Sequence, residues 1–192
     1  MLTTTGEPIV YLDPARTRVH GRDVYVHLSN ACRYAGAVHV PILLHLALCV
    51  RLAERMGCSP EALAYVAAHD IVEAYIGDLP TGLKQVLPEW DERIEAPWEA
   101  HVHAQLGLAW PMPSQIAVFV KSIDLLALVV EKRVFRHPGY HETVTRIGRE
   151  PTREECLELD TLTDEDSESW FDTVARAIVQ GGGRRLDYTD RA

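Results

Sequence analysis

His69-Asp70-Ile71-Val72-Glu73-Ala74-Tyr75-Ile76-Gly77-Asp78-Leu79-Pro80 places a histidine, three carboxylates and a helix-ending glycine within twelve residues. The run before it, Ala62 to Ala68, is apolar and predicts a buried helix. A buried helix seldom carries three ionisable groups that lack partners, and a bound divalent cation is one such partner. Ser59 and Pro60 supply a cap and first-position signal, so a helix is predicted from Glu61 to about Tyr75, with Gly77 as its stop. At 3.6 residues per turn, Glu73 shares a face with His69 four residues before it and Asp70 three before it. His69 and Asp70 diverge by about 100°, which still lets both reach an ion lying between them. The alternative is a solvated acidic patch, against which Ala64-Tyr65-Val66-Ala67-Ala68 argues for burial.

On either side of this stretch the periodicity is helical, and the class expected is all-α. Residues 1–22 form a mixed N-terminal arm, irregular or a β-hairpin, in which Ile9 to Leu12 alternates. Helices are predicted from about Asp23 to Tyr34, ending at Gly36, and from Ile42 to Met56, with Pro41 at the first position. A short helix, about Gly82 to Leu87, lies between Pro80 and Pro88, and Ile94, Trp98, Val102 and Leu106 mark an apolar stripe. Beyond Pro111 and Pro113, Ser114 is expected to cap a long apolar helix from Gln115 to about Arg133. Residues 136–160 read as irregular with a short helix at Arg153 to Leu159. Thr163 with Asp166 resembles a cap for a last amphipathic helix through Trp170, Phe171, Val174 and Ile178. One helical domain over 23–180 follows, with residues 181–192, opening on Gly181-Gly182-Gly183, as a mobile tail.

The 192 residues are enough to bury about 70% of the unfolded surface in one core. With 47% hydrophobic and 24% charged residues the composition is that of a globular chain, and a net charge of −9 argues against a polymeric nucleic-acid partner. Arg51, Lys121 and Asp124 interrupt every apolar run before it reaches membrane-spanning length, and Met1 to Pro8 lacks the features of a signal peptide. Cys32, Cys49, Cys58 and Cys156 have no CxxC spacing and read as reduced thiols, so a cytoplasmic location is expected.

Two further polar groups interrupt apolar helices. His45 is the only polar residue in the first two turns of its helix, where an ordinary core histidine bonded to a carbonyl is the simpler alternative. Asp124, among Phe119, Val120, Ile123, Leu125 and Leu126, costs several kcal/mol to bury ionised and unpaired. Lys121, three residues before it, offers an ordinary ion pair; a metal is the other solution. Together His45, His69, Asp70 and Asp124 are a two-histidine, two-carboxylate set suited to one divalent ion (cobalt, manganese, zinc or magnesium) with positions left for water.

That order, His, then His-Asp, then Asp, resembles the HD superfamily of metal-dependent phosphohydrolases. Asn30-Ala31-Cys32-Arg33-Tyr34-Ala35-Gly36, the string from His69 to Pro80 with Lys84, and Val120-Lys121-Ser122-Ile123-Asp124 are similar to the branch of bacterial 5′-deoxynucleotidases and phage-encoded deoxynucleotide phosphohydrolases. Tyr11-Leu12-Asp13-Pro14 also looks like the start of the phage members, whose setting is the host cytoplasm. The resemblance spans roughly residues 10–135 and implies an HD-domain helical bundle, a small-molecule nucleotide substrate and a symmetric homo-oligomer. It implies hydrolysis of a 5′-phosphate or triphosphate ester by water ionised on the metal, whose pKa falls from about 15.7 toward 7. Glu73 and Asp78 are then the catalytic carboxylates, and Arg33, Lys84 and Lys121 contact phosphate, with Tyr34 on sugar or base.

The chain departs from the phage pattern in two places. Ala37 follows Gly36 where a histidine is common, and the string around the first ligand reads Ile42-Leu43-Leu44-His45-Leu46, without polar neighbours. His39 is a fallback ligand outside the helix. Two other outcomes are a catalytically altered HD-fold nucleotide-binding module and a guanosine-tetraphosphate-type hydrolase, though the latter usually has an acidic residue where Ala74 stands. Dinuclear relatives need additional histidines, and His101 and His103 point to nearly opposite sides of a helix.

Overall fold

Ile42–Arg55 (α2) is the axis of the molecule. Every residue from Ile42 to Ala53 except Arg51 is buried, as expected of a helix apolar on all sides. Each fully buried Leu, Ile or Val contributes about 1.5–3 kcal/mol, so α2 anchors its surroundings. The computed structural model describes residues 1–87 and 89–189, leaving aside the side chain of Thr81. Around α2 pack Gly21–Asn30 (α1), Pro60–Ala68 (α3), Ser114–Val134 (α7), Arg153–Thr163 (α9) and Ser167–Gln180 (α10). The remaining α-helices are Glu73–Ile76 (α4), Thr81–Lys84 (α5), Ala96–Gln105 (α6), which continues a π-helical turn at Asp91–Glu95, and Tyr140–Ile147 (α8), with short 3-10 turns at Pro14–Arg16 and Tyr34–Gly36. Among the described residues there is no strand, and the architecture is all-α. No helix among them is long and apolar enough to cross a membrane.

Ser59 caps α3 by accepting from the Ala62 amide, and Gly77 ends α4 at φ 79°. Trp98 and Val102 of α6 and Leu106 just past its end form a buried stripe. Other boundaries differ from expectation. The first helix stops at Asn30, where Ala31 turns extended, so Arg33 and Tyr34 stand on a loop. Pro41 is the residue before α2 rather than its first. The short helix expected over 82–87 occupies Thr81–Lys84, with Val86 and Leu87 exposed beyond it. Ser114 is the first residue of α7 and caps nothing. Asp166, not Thr163, caps α10 by accepting from Ser169, because α9 runs on through Thr163 from a Thr152–Glu155 capping box. The segment read as irregular contains α8, stopped by the left-handed Gly148.

The N-terminal arm has no strand at Ile9 to Leu12; its β-like feature is a single antiparallel bridge between Leu2 and Pro8. The arm is tied to the bundle by the Thr5 amide and hydroxyl, both donating to the buried Asp23 carboxylate at 2.8 Å. Trp98 Nε1 donates to the Tyr11 carbonyl at 2.9 Å. The segment from 181 to 189, expected to be a mobile tail, packs back on the bundle. The Arg184 amide donates to Leu106 O at 2.7 Å, Leu186 is buried, and the Tyr188 ring lies 5.1 Å from that of Tyr25. Pro88, expected to bound the short helix, and residues 190–192 of the expected tail lie outside the described residues.

Candidate metal centre

The centre is assembled from α2, the turn between α3 and α4, α7, and the loop after α1. The continuous helix expected through Tyr75 is interrupted after Ala68. Ile71, Glu73 and Ala74 donate three residues back, to Ala68, Asp70 and Ile71, at 3.1 Å each. Such tightening recurs at hinges and functional sites, and here it sets His69 and Asp70 on a turn beside α2 rather than on an ideal helix face.

Four predicted ligands converge. His45 Nε2 lies 3.5 Å from Asp124 Oδ1 and 3.6 Å from Asp70 Oδ2, and His69 Nε2 lies 3.4 Å from Asp70 Oδ2. The imidazoles are oriented from behind. His45 Nδ1 donates to Glu131 Oε1 at 2.6 Å and His69 Nδ1 donates to Val66 O at 2.7 Å, so both Nε2 atoms face the carboxylates. The Nε2 of His69 is buried with no hydrogen-bond partner. A lone pair facing a carboxylate oxygen at this distance is repulsive without a positive charge between them. Asp124 is divided: Oδ2 accepts from Lys121 Nζ at 2.7 Å, leaving Oδ1 for the centre. Although burial opposes it, His45, His69 and Lys121 hold the Asp124 carboxyl below its ordinary range. Burial and Arg33 oppose charge on His45, yet Cys49 and Glu131 raise its pKa well above the ordinary value. The surroundings favour positive charge at this point, and the donor set fits a divalent ion.

Two groups that the sequence reading missed belong here. His45, Cys49 and His69 form a group able to hold a metal ion, their ligand atoms all within 4.8 Å of one another. Cys49 follows His45 by one helical turn, a spacing visible in the sequence. Glu131, fully buried, accepts from His45 and from the Tyr34 hydroxyl at 2.7 Å and stands 3.3 Å from Arg33 Nε. Its signal was a carboxylate two turns after Asp124, inside Val129-Val130-Glu131. Burial would raise the Glu131 pKa, but Arg33 and His45 keep it below its ordinary value.

Arg33, Tyr34, Asp78, Lys84 and Lys121 line one cleft of about 750 Å³ together with Asp70, Glu73 and Asp124. That volume is in the range of small-molecule sites, roughly 300–1,000 Å³. Arg33 bridges cleft and centre, 3.4 Å from Asp70 and 3.9 Å from Asp124. Lys84 is paired with Glu95, and the Tyr34 hydroxyl is committed to Glu131 while its ring lies 4.9 Å from that of His137. Arg146 of α8 adds a cleft cation unmarked in the sequence reading. His39 is exposed and contacts Cys32, and His101 donates to Thr17 O. Glu73 has a buried, unpartnered Oε2; burial first, then Asp70 and Asp78, push its carboxyl up to about 9. Burial also raises Asp78.

No protein-family model matches the chain. It is 35% identical over 134 residues to the uncharacterized protein YfdR of Escherichia coli strain K12, across 68% of this chain and 69% of that one. The chain belongs to the YfdR family.

Proposed function

We propose that the chain is an HD-type, metal-dependent phosphohydrolase acting on deoxynucleotides in the cytoplasm. The observation that carries the reading is the convergence of His45, His69, Asp70 and Asp124, from three parts of the chain, at the floor of a cleft bearing Arg33 and Glu73. Two imidazoles and two carboxylates suit a borderline divalent ion such as manganese, cobalt or zinc, with magnesium the harder alternative. A divalent ion there supplies Lewis acidity toward a phosphoryl oxygen and lowers the pKa of water to near neutrality.

Protein groups perform the rest. Arg33, held charged by Glu131, Asp70 and Asp124 despite its burial, offers guanidinium N–H groups to phosphate oxygens at the mouth of the centre. Glu73, whose carboxyl is pushed up to about 9 by burial, Asp70 and Asp78, is placed to give its Oε2 proton to the departing ester oxygen and to be reprotonated from the attacking water. Asp78 stands on the same wall and orients the leaving side. The Tyr34 ring provides a face for sugar or base. Three of the four cleft cations already have carboxylate partners, Arg33 with Glu131, Lys84 with Glu95 and Lys121 with Asp124. Little uncompensated charge remains for a triphosphate tail, which favours a monophosphate ester. Symmetric self-association belongs to the same reading and is measured by sedimentation equilibrium.

The test is phosphate and pyrophosphate-type product release from a panel of deoxynucleoside mono- and triphosphates with manganese, cobalt, zinc or magnesium. Turnover of monophosphates is expected, with Asp124→Ala losing metal. Glu73→Gln is expected to keep metal while kcat falls by roughly 10²–10⁴-fold. A metal-loaded protein inert toward the whole panel refutes the proposal.

A further inference from the structure

The reading of the centre as a metal site, on which this inference rests, leaves one buried donor unused. Cys49 is fully buried on α2, and its Sγ stands 3.5 Å from His45 Nε2. In tetrahedral coordination, metal–nitrogen bonds of about 2.0–2.1 Å and metal–sulfur bonds of about 2.3 Å put neighbouring N and S atoms roughly 3.5 Å apart. Sγ and Nε2 are within hydrogen-bond reach of each other, and the same spacing suits two ligands of a single tetrahedral ion. An independent observation points the same way. His69 Nε2, in a side chain only 10% exposed, is buried without a partner and lies within 4.8 Å of both other donors. Asp70 and Asp124 line the substrate cleft, whereas His45, Cys49 and His69 are not among its lining residues. The centre thus has a carboxylate side toward the cleft and a thiol side toward the core, with the two imidazoles common to both.

We propose that Cys49 is a metal-specificity residue: as a thiolate it joins His45 and His69 in holding a thiophilic divalent ion, zinc or cadmium, in preference to manganese or magnesium. Thiolate and imidazole are the softer donors of the set, and carboxylates the harder. On binding, the Cys49 S–H bond breaks, its proton leaves to solvent, and the sulfur electron pair forms the bond to the ion; no oxidation state changes.

The experiment uses the full chain, stripped of metal by chelation and titrated with cobalt, then with zinc, cadmium and manganese. Wild-type protein is expected to show a near-ultraviolet thiolate-to-cobalt charge-transfer band. Cys49→Ala and Cys49→Ser should lose that band while still binding cobalt, and should bind zinc and cadmium at least about tenfold more weakly, the smallest loss typical of disturbing even an outer-shell partner. Manganese affinity should move less. Cys32→Ser, which removes the half-buried thiol beside His39, should keep the band. Cobalt bound by the wild type without the band overturns the role of Cys49 and leaves the metal centre standing. No cobalt binding at all overturns both. If neither Cys49 variant folds, the cadmium-113 chemical shift of the wild type decides, a thiolate-ligated value supporting the assignment and an all-nitrogen-and-oxygen value refuting it.

Discussion

Glu131 joins the metal centre to the cleft. Its two oxygens hold His45 from behind and receive Arg33 and Tyr34 from the cleft side, so imidazole orientation and the cleft guanidinium share one buried anion. Glu131→Gln keeps the shape but removes the charge, and metal affinity should drop by about 10–100-fold in isothermal titration. Glu131→Ala also leaves Arg33 without its buried partner and should cost about 3–5 kcal/mol in denaturant unfolding. Glu99 on α6 makes a separate prediction. Burial first, then Glu95 and Asp91, push its carboxyl from 4.5 up to about 7. Between these values the folded state binds more protons than the unfolded chain, so this residue's contribution to stability declines as pH rises through that window. Unfolding of Glu99→Gln, compared with wild type across the window, should lack that part of the decline; identical pH profiles would show that Glu99 titrates normally.

The Arg33–Gly36 loop is the element with the least regular backbone. Tyr34, Ala35 and Gly36 all have positive φ, at 59°, 51° and 78°, and the first two are not glycines. A left-handed conformation costs an L-residue roughly 1–2 kcal/mol, and the loop places Arg33 and Tyr34 against Glu131 despite it. Ala35→Gly relieves the exposed position and should raise stability by about 1 kcal/mol in thermal or denaturant unfolding. This loop also marks where sequence reading failed. The apolar run in α2 and the stripe in α6 made those helices legible, and the order His45, His69-Asp70, Asp124 made the ligand set legible as candidates. What periodicity does not encode is where a helix gives way to a tighter turn, as after Ala68, or to an extended residue, as at Ala31. Helix α8 went unread because its turns carry mostly polar residues, although Thr143 is buried and Gly148 stood available as its stop.

For the molecule as a whole, the glycine run shows how composition misleads. Read as flexibility, the run instead makes close approaches at Gly181 and Gly183: a Cβ on Gly181 would stand 2.3 Å from Ala64 Cβ and 2.4 Å from Pro60 O. Gly181→Ala should therefore destabilise the chain by about 1–3 kcal/mol through overpacking of α10 on α3, read from the unfolding midpoint. An unchanged midpoint would mean that the C-terminal segment does not dock. The same closing segment supports α3, which delivers His69 to the centre, and so ties the end of the chain to its middle. The decisive measurement is anomalous diffraction from a crystal grown with manganese and a deoxynucleoside monophosphate. A manganese peak bounded by His45, His69, Asp70 and Asp124, with the phosphate beside Arg33, is the expected result. Manganese bound elsewhere, or a nucleotide outside this cleft, would contradict it.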